Sequence, residues 1–145
     1  MDTRQGWMGL VAKAPAEALA RHWAALGVSP EFTWLRPPEV GGAMVRGRMG
    51  GTGAAFNIGE MTITRCALKL TKGGAIGHAH VQGRDKAKAE QAALVDALMQ
   101  TDLADTVRTA VLVPLADELA VASAARAAKA AATKVDFFTM VRGED

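Results

Sequence analysis

Between Ala75 and Gln100 the spacing of apolar residues changes its period. Up to Gln82 they recur at every second position; from Lys86 onward they recur at every third or fourth. The switch predicts a strand over 75–82 running into a helix over 86–100. Gly83 permits the sharp exit between them, and Asp85 is a good N-cap. Ala87, Gln91, Leu94, Val95 and Leu98 then fall on one mostly apolar helical face. This is the best-defined packing unit of the chain.

Before it, residues 3–13 read as a short helix with Thr3 as cap and Trp7, Met8, Leu10 and Val11 as apolar members. Pro15 suits the first position of a second helix, Leu19, Trp23 and Leu26 form its stripe, and Gly27 stops it. From Phe32 to Val81 the pattern is β. A short strand, Phe32 to Leu35, is expected to end at Pro37-Pro38, and Gly41-Gly42 reads as a turn. Ala43 to Met49 is the next strand, with Val45 and Met49 on one face and Met44, Arg46 and Arg48 on the other. The Gly50-Gly51-Thr52-Gly53 run breaks it, and Gly59 punctuates the stretch beyond Phe56 and Ile58.

Glu60 to Leu70 is expected as the longest strand. Its phase changes midway: Met61 and Ile63 share a face, whereas Cys66, Leu68 and Leu70 have the opposite parity. A bulge near Arg65 or cover on both faces would account for this. Lys72-Gly73-Gly74 reads as a hairpin turn. Short glycine turns between consecutive strands argue for an antiparallel meander. The last third is helical: a short helix near 102–110, then an Ala-rich helix over 115–133 with Leu115, Leu119 and Ala122 as its stripe. The predicted fold is α+β, an antiparallel β-sheet with an N-terminal helical pair and C-terminal helices packed on one face, in one domain over 1–145.

A chain of 145 residues can bury a real core, and with 5% aromatics and no Tyr that core rests on aliphatics, Ala and Met. A net charge of +2 is too small for a phosphate-backbone reader, so nucleic acid is not an expected partner. The lone Cys66 leaves no internal disulfide and no cysteine-only metal site. With no signal-peptide pattern and no membrane-spanning run, the expected setting is the cytoplasm.

The chemistry legible in the residues is sparse. The Gly50-Gly51-Thr52-Gly53 loop offers backbone N–H groups to a phosphate but lacks a P-loop ending and a following helix. Arg46, Arg48, Arg65, Arg84, Lys86 and Arg142 are candidates for an anion-binding surface. Arg84 and Lys86 stand at a helix N-terminus, where cations are locally unfavourable unless an anion or acidic partner is near. His78 and His80 share one strand face, a spacing that fits a metal pair if a third ligand exists, and ordinary surface histidines otherwise. His22 reads as a half-exposed surface histidine and Cys66 as a small buried hydrophobe. No metal site and no catalytic residue is assigned.

Several stretches together resemble one family. They are Thr3-Arg4-Gln5 with Trp7-Met8, Arg48-Met49-Gly50-Gly51-Thr52-Gly53, Gly59 with Thr62 to Arg65, and Val81-Gln82-Gly83-Arg84-Asp85-Lys86. Ala89-Glu90, Ala97 to Gln100 and the closing Val135-Asp136-Phe137-Phe138-Thr139-Met140-Val141-Arg142-Gly143 complete the set. The chain resembles the PhnG subunits of carbon–phosphorus lyase over nearly its whole length. The histidine pair is not part of that pattern. The resemblance implies a core complex with PhnI, PhnH and PhnJ, in which a phosphonate displaces adenine from ATP to give α-D-ribose 1-methylphosphonate 5-triphosphate. It also implies that an iron–sulfur cluster and S-adenosylmethionine reside in PhnJ, and that no cofactor is bound by this chain alone.

The residues singled out can then serve in two ways. Arg48, Gly50, Gly51, Thr52, Gly53, Arg65, Arg84 and Lys86 would meet either the phosphate-bearing substrate or a partner subunit, arginine being suited to bidentate phosphate contacts. Phe137, Phe138, Met140 and Arg142 would form a partner-contact tail. The expected role is accessory or scaffold rather than catalytic alone, with self-association of the isolated chain possible through the tail. An independent small anion- or nucleotide-binding domain is the alternative.

Overall fold

The computed structural model describes residues 3–134; the tail residues Phe137, Phe138, Met140 and Arg142 lie outside them. The fold is α+β: two N-terminal helices, a three-stranded antiparallel sheet in the order β1-β2-β3, and C-terminal helices packed on the sheet. Helices α1 (Arg4–Lys13) and α2 (Ala16–Leu26) start and stop on local signals. The Thr3 hydroxyl accepts the Gly6 N–H at 3.2 Å, and Gly27 closes α2 at φ 66°. Pro15 is the cap before α2 rather than its first residue.

The first strand departs most from expectation. β1 (Phe32–Arg48) runs unbroken through Pro37-Pro38 and Gly41-Gly42, and β2 (Ala55–Leu70) runs unbroken through Gly59. Two positions explain the prolines. β1 is an edge strand, and the register steps from Arg36↔Ala67 to Glu39↔Arg65, so Pro37 and Pro38 stand opposite Cys66 alone. The expected bulge near Arg65 is therefore in the neighbouring strand. Gly42 is no turn either; it pairs with Thr62, and the Glu60 side chain occupies the space where a Cβ would be. β3 (Ile76–Gln82) returns through a turn whose Gly73 and Gly74 take φ 76° and 69°.

Helix α3 (Lys86–Leu98) lies at the centre. Asp85 caps it by accepting the Lys88 N–H at 2.9 Å. From Ala92 to Met99 every residue is buried, so the helix is enclosed rather than one-faced, while Ala87 is exposed. Its backbone rests directly on β3: a Cβ on Gly77 would collide with the Ala93 carbonyl. The sheet's inner face supplies Cys66, Leu68, Leu70, Ala79 and Val81; α1 and α2 add Trp7, Val11, Ala18 and Leu19.

A short α4 (Ala104–Val107) passes through a π-helical turn, Arg108–Leu112, into α5 (Val113–Ala132). That turn buries Val111 and Leu112, and Leu115 follows them into the core. Beyond Leu119 the expected stripe fails. Ala122 and every residue from there to Lys134 are exposed.

Candidate functional site

Two features distinguish the surface: a bare hairpin, and basic groups placed at separate points. The hairpin arises because β3 is short. It pairs with β2 only from Lys69 to Ile63, so β1 and β2 continue alone past Thr62 and Gly42. At about 3.3 Å per residue this two-stranded arm projects about 20 Å. Residues 55–60 of β2 are all exposed. Directly paired residues share a face. The outer face thus collects Ile63, Met61, Ala43, Val45 and Phe56, and Ile58 lies across Gly47, where it would meet an added Cβ. The opposite face carries Met44, Arg46 and Arg48. Met49 at the tip is 77% exposed and Ile58 63%.

The tip is closed on itself. The N–H groups of Thr52 and Gly53 both donate to the Met49 carbonyl, and Arg48 Nη1 donates to the Gly53 carbonyl at 2.9 Å. Gly50 and Gly51 take φ 59° and 80°, which favours glycine there. Two of the loop's N–H groups are thus spent internally, and Arg48 acts as its brace.

The other basic candidates stand elsewhere. Arg65 Nε donates to Glu39 at 2.7 Å across the strands, and that bond holds the Glu39 carboxyl below its ordinary pKa. Arg84 and Lys86 are exposed on either side of Asp85. Gly83 bonds to Thr62, whereas Arg48 pairs with Ala55, so the two groups are separated by about 20 Å of strand. The structure does not gather Arg48, Arg65 and Arg84 into one pocket.

A different basic group was missed by pattern reading. At the arm's base a cavity of about 510 Å³ is lined by Lys13, His80, Gln82 and Lys88 over Met61 and Ile63. Lys88 is 8% exposed, and its ammonium donates to the Ala12 carbonyl at 2.9 Å. Burial pushes its pKa below the usual lysine range, against a smaller opposing pull from Asp85. A lysine on an otherwise alanine-rich helix face was the available signal.

The second missed residue is Asp96, fully buried within α3. It accepts from Arg4 Nε at 3.0 Å and Nη2 at 2.7 Å, from Trp7 Nε1 at 2.9 Å and from the His78 N–H at 2.9 Å. Four donors saturate its oxygens, and the Arg4 guanidinium pKa is raised by the pairing. The group ties α1, β3 and α3 together. Its sequence signal was an acid inside the run Leu94-Val95-Asp96-Ala97-Leu98.

His78 and His80 are exposed on the outer sheet face, and the described residues contain no group of three or more potential metal ligands. His22 pairs with Glu118 at 2.8 Å beside Arg21, linking α2 to α5; these bonds lower the Glu118 pKa. Cys66 is buried, its thiol donates to the Ala89 carbonyl at 3.2 Å, and burial pushes its pKa up to about 11. A thiol so placed is not an activated nucleophile. No helix among the described residues is long and apolar enough to cross a membrane.

These features define a small α+β protein with a saturated polar core and an uncovered apolar arm. The family model for "phosphonate metabolism protein PhnG" matches residues 2–143. The chain is 42% identical over 142 residues to the α-D-ribose 1-methylphosphonate 5-triphosphate synthase subunit PhnG of Rhizobium meliloti (strain 1021), covering 98% of this chain and 90% of that protein. The chain belongs to the PhnG family.

Proposed function

We propose that this chain is the accessory subunit of a synthase in which a phosphonate displaces adenine from ATP, giving α-D-ribose 1-methylphosphonate 5-triphosphate during phosphonate breakdown. Its partners on this reading are PhnI-, PhnH- and PhnJ-like subunits in the cytoplasm. Iron–sulfur and S-adenosylmethionine chemistry would belong to the PhnJ-like partner, and this chain would bind no cofactor alone. The matched relative is named a subunit of that synthase.

The observation that supports an accessory role is the scatter of the basic groups. Arg48 braces a loop, Arg65 is neutralised by Glu39, and Arg84 with Lys86 stands about 20 Å from the tip. The triphosphate group of one nucleotide, which carries the charge, does not reach both ends of that span. Separate cations spread over a surface suit contacts to several places on neighbouring proteins. Reversing Arg84 to Glu, with complex assembly and product formation measured separately, tests the reading. Loss of assembly supports a scaffold role; loss of product from an intact complex assigns Arg84 to the substrate. The tail, with Phe137, Phe138, Met140 and Arg142, is proposed as a further partner contact on its composition. Deleting 135–145 is expected to weaken partner binding sharply or to reduce solubility.

A second reading, an independent small anion-binding domain, draws on the cavity of Lys13, His80, Gln82 and Lys88. It predicts saturable binding of inorganic phosphate or ATP by the isolated chain, measurable by calorimetry, and no association with the partner subunits.

A further inference from the structure

We propose that the arm, residues 42–62, is the docking element of this chain, and that its occupant is a different protein presenting an apolar groove edged by carboxylates. The inference rests on the subunit reading above and deepens it by naming the contact and the chemistry of the surface that receives it.

The arm's apolar residues are dearly exposed for a sheet of this size. Val45, Phe56 and Ile58 on the outer face, Met49 at the tip and Met44 on the opposite face range from 37% to 77% exposed. They lie on both faces and at the tip, so a single flat partner surface cannot cover them all and a groove that takes in the arm can. Ala43, Met61 and Ile63 extend the same outer face toward the sheet's base. Glycines 41, 42 and 47 keep the arm thin, so two strands can enter a groove that a fully clothed hairpin would not. Long uncovered strands of this kind are aggregation liabilities unless a partner covers them.

Charge decides between a second copy and a different protein. From Gly42 to Thr62 the arm carries two arginines, Arg46 and Arg48, and one acid, Glu60, so its net charge is positive. Neither arginine forms an ion pair among the described residues. Two copies laid arm against arm would set four guanidinium groups against only two carboxylates, from Glu60 of each copy, and leave an excess of positive charge. A partner with carboxylates at the groove's rim satisfies both arginines while the outer face takes the apolar floor.

The test uses the full-length chain against purified PhnI-, PhnH- and PhnJ-like subunits. Phe56→Asp with Ile58→Asp is expected to weaken binding about 100-fold or more while the body still unfolds cooperatively, since those side chains touch the hairpin and not the core. Arg46→Glu with Arg48→Glu is expected to weaken binding about 10-fold and to flatten its salt dependence. Binding by the Asp double variant within about twofold of wild type would overturn the inference while leaving the subunit reading intact. A wild-type homodimer that this variant splits would also overturn it, by making a second copy the occupant. Wild type that binds none of the partners would overturn both readings together.

Discussion

One strand lives in two environments. In β2, residues 64, 66, 68 and 70 alternate into the core beneath α3, and Thr64, Cys66 and Leu68 are at most 2% exposed. In the same strand, residues 55–60 are exposed on every side, although Phe56 and Ile58 are as apolar as Leu68. Helices make the difference, not the strand. Where α3 lies over the sheet the backbone approach is so close that only Gly77 fits beneath Ala93. Beyond Thr62 the described residues supply no third strand. The body is thus enclosed, while the arm carries apolar surface that no other described element covers.

Substitutions on the two sides of that boundary should behave oppositely. Asp96→Ala strips one acceptor from Arg4, Trp7 and the His78 N–H at once, and urea titration should show a loss of about 3–4 kcal/mol. The same acid-to-alanine change at Glu60 on the arm should cost less than about 0.5 kcal/mol. Glycine gives a second matched pair. Gly77→Ala drives a methyl into the Ala93 carbonyl and should cost about 2–3 kcal/mol, whereas Gly47→Ala meets only the movable end of Ile58 and should cost about 0.5 kcal/mol or less.

Cys66 supplies a pH test of the body. Its folded pKa lies above the ordinary value of 9.0, at about 11, so the folded state favours the neutral thiol. The resulting stability is fully present below pH 9.0 and is lost as pH rises through about 11. Stability should therefore fall more steeply with alkaline pH in wild type than in Cys66→Ala. Alkylation at pH 8 should be slow in the folded chain and rapid in denaturant. Equal slopes in the two proteins would place the thiol in water and contradict the buried packing of β2 against α3.

Much of the body was legible because its signals are local. Thr3, Gly27, Gly73, Gly74 and Asp85 act within a turn of where they sit, and each behaves as its residue type dictates. Non-local facts were not legible. Pro37-Pro38 looked like a strand end because a proline's tolerance depends on whether its strand is at an edge, which is a property of the whole sheet. The Gly41-Gly42 pair looked like a turn because the Glu60 side chain that lies over Gly42 is eighteen residues away. Ala122 looked like part of a packed stripe, yet α5 outruns the described elements that pack against its start.

The candidate site divides in the same way. Arg48 and the glycine loop were found by motif, and the structure shows them bonded to each other. The grouping of Arg48 with Arg65 and Arg84 required a register that periodicity does not supply, and the register sets them apart. Asp96 and Lys88 were overlooked because a charged residue inside an apolar run reads as noise until its partners are known. The arm itself was hidden because alternation in Phe56 and Ile58 looks the same whether a helix lies over it or not.

Hydrogen exchange across residues 42–62 tests the central claim most directly, measured on the chain alone and again with its proposed partner subunits bound. The account predicts that arm amides exchange fast in isolation and become protected by about 100-fold or more in the complex, while amides of α3 are slow in both. Arm amides that exchange equally fast in the assembled complex would show that the hairpin stays bare, and the docking account would fall.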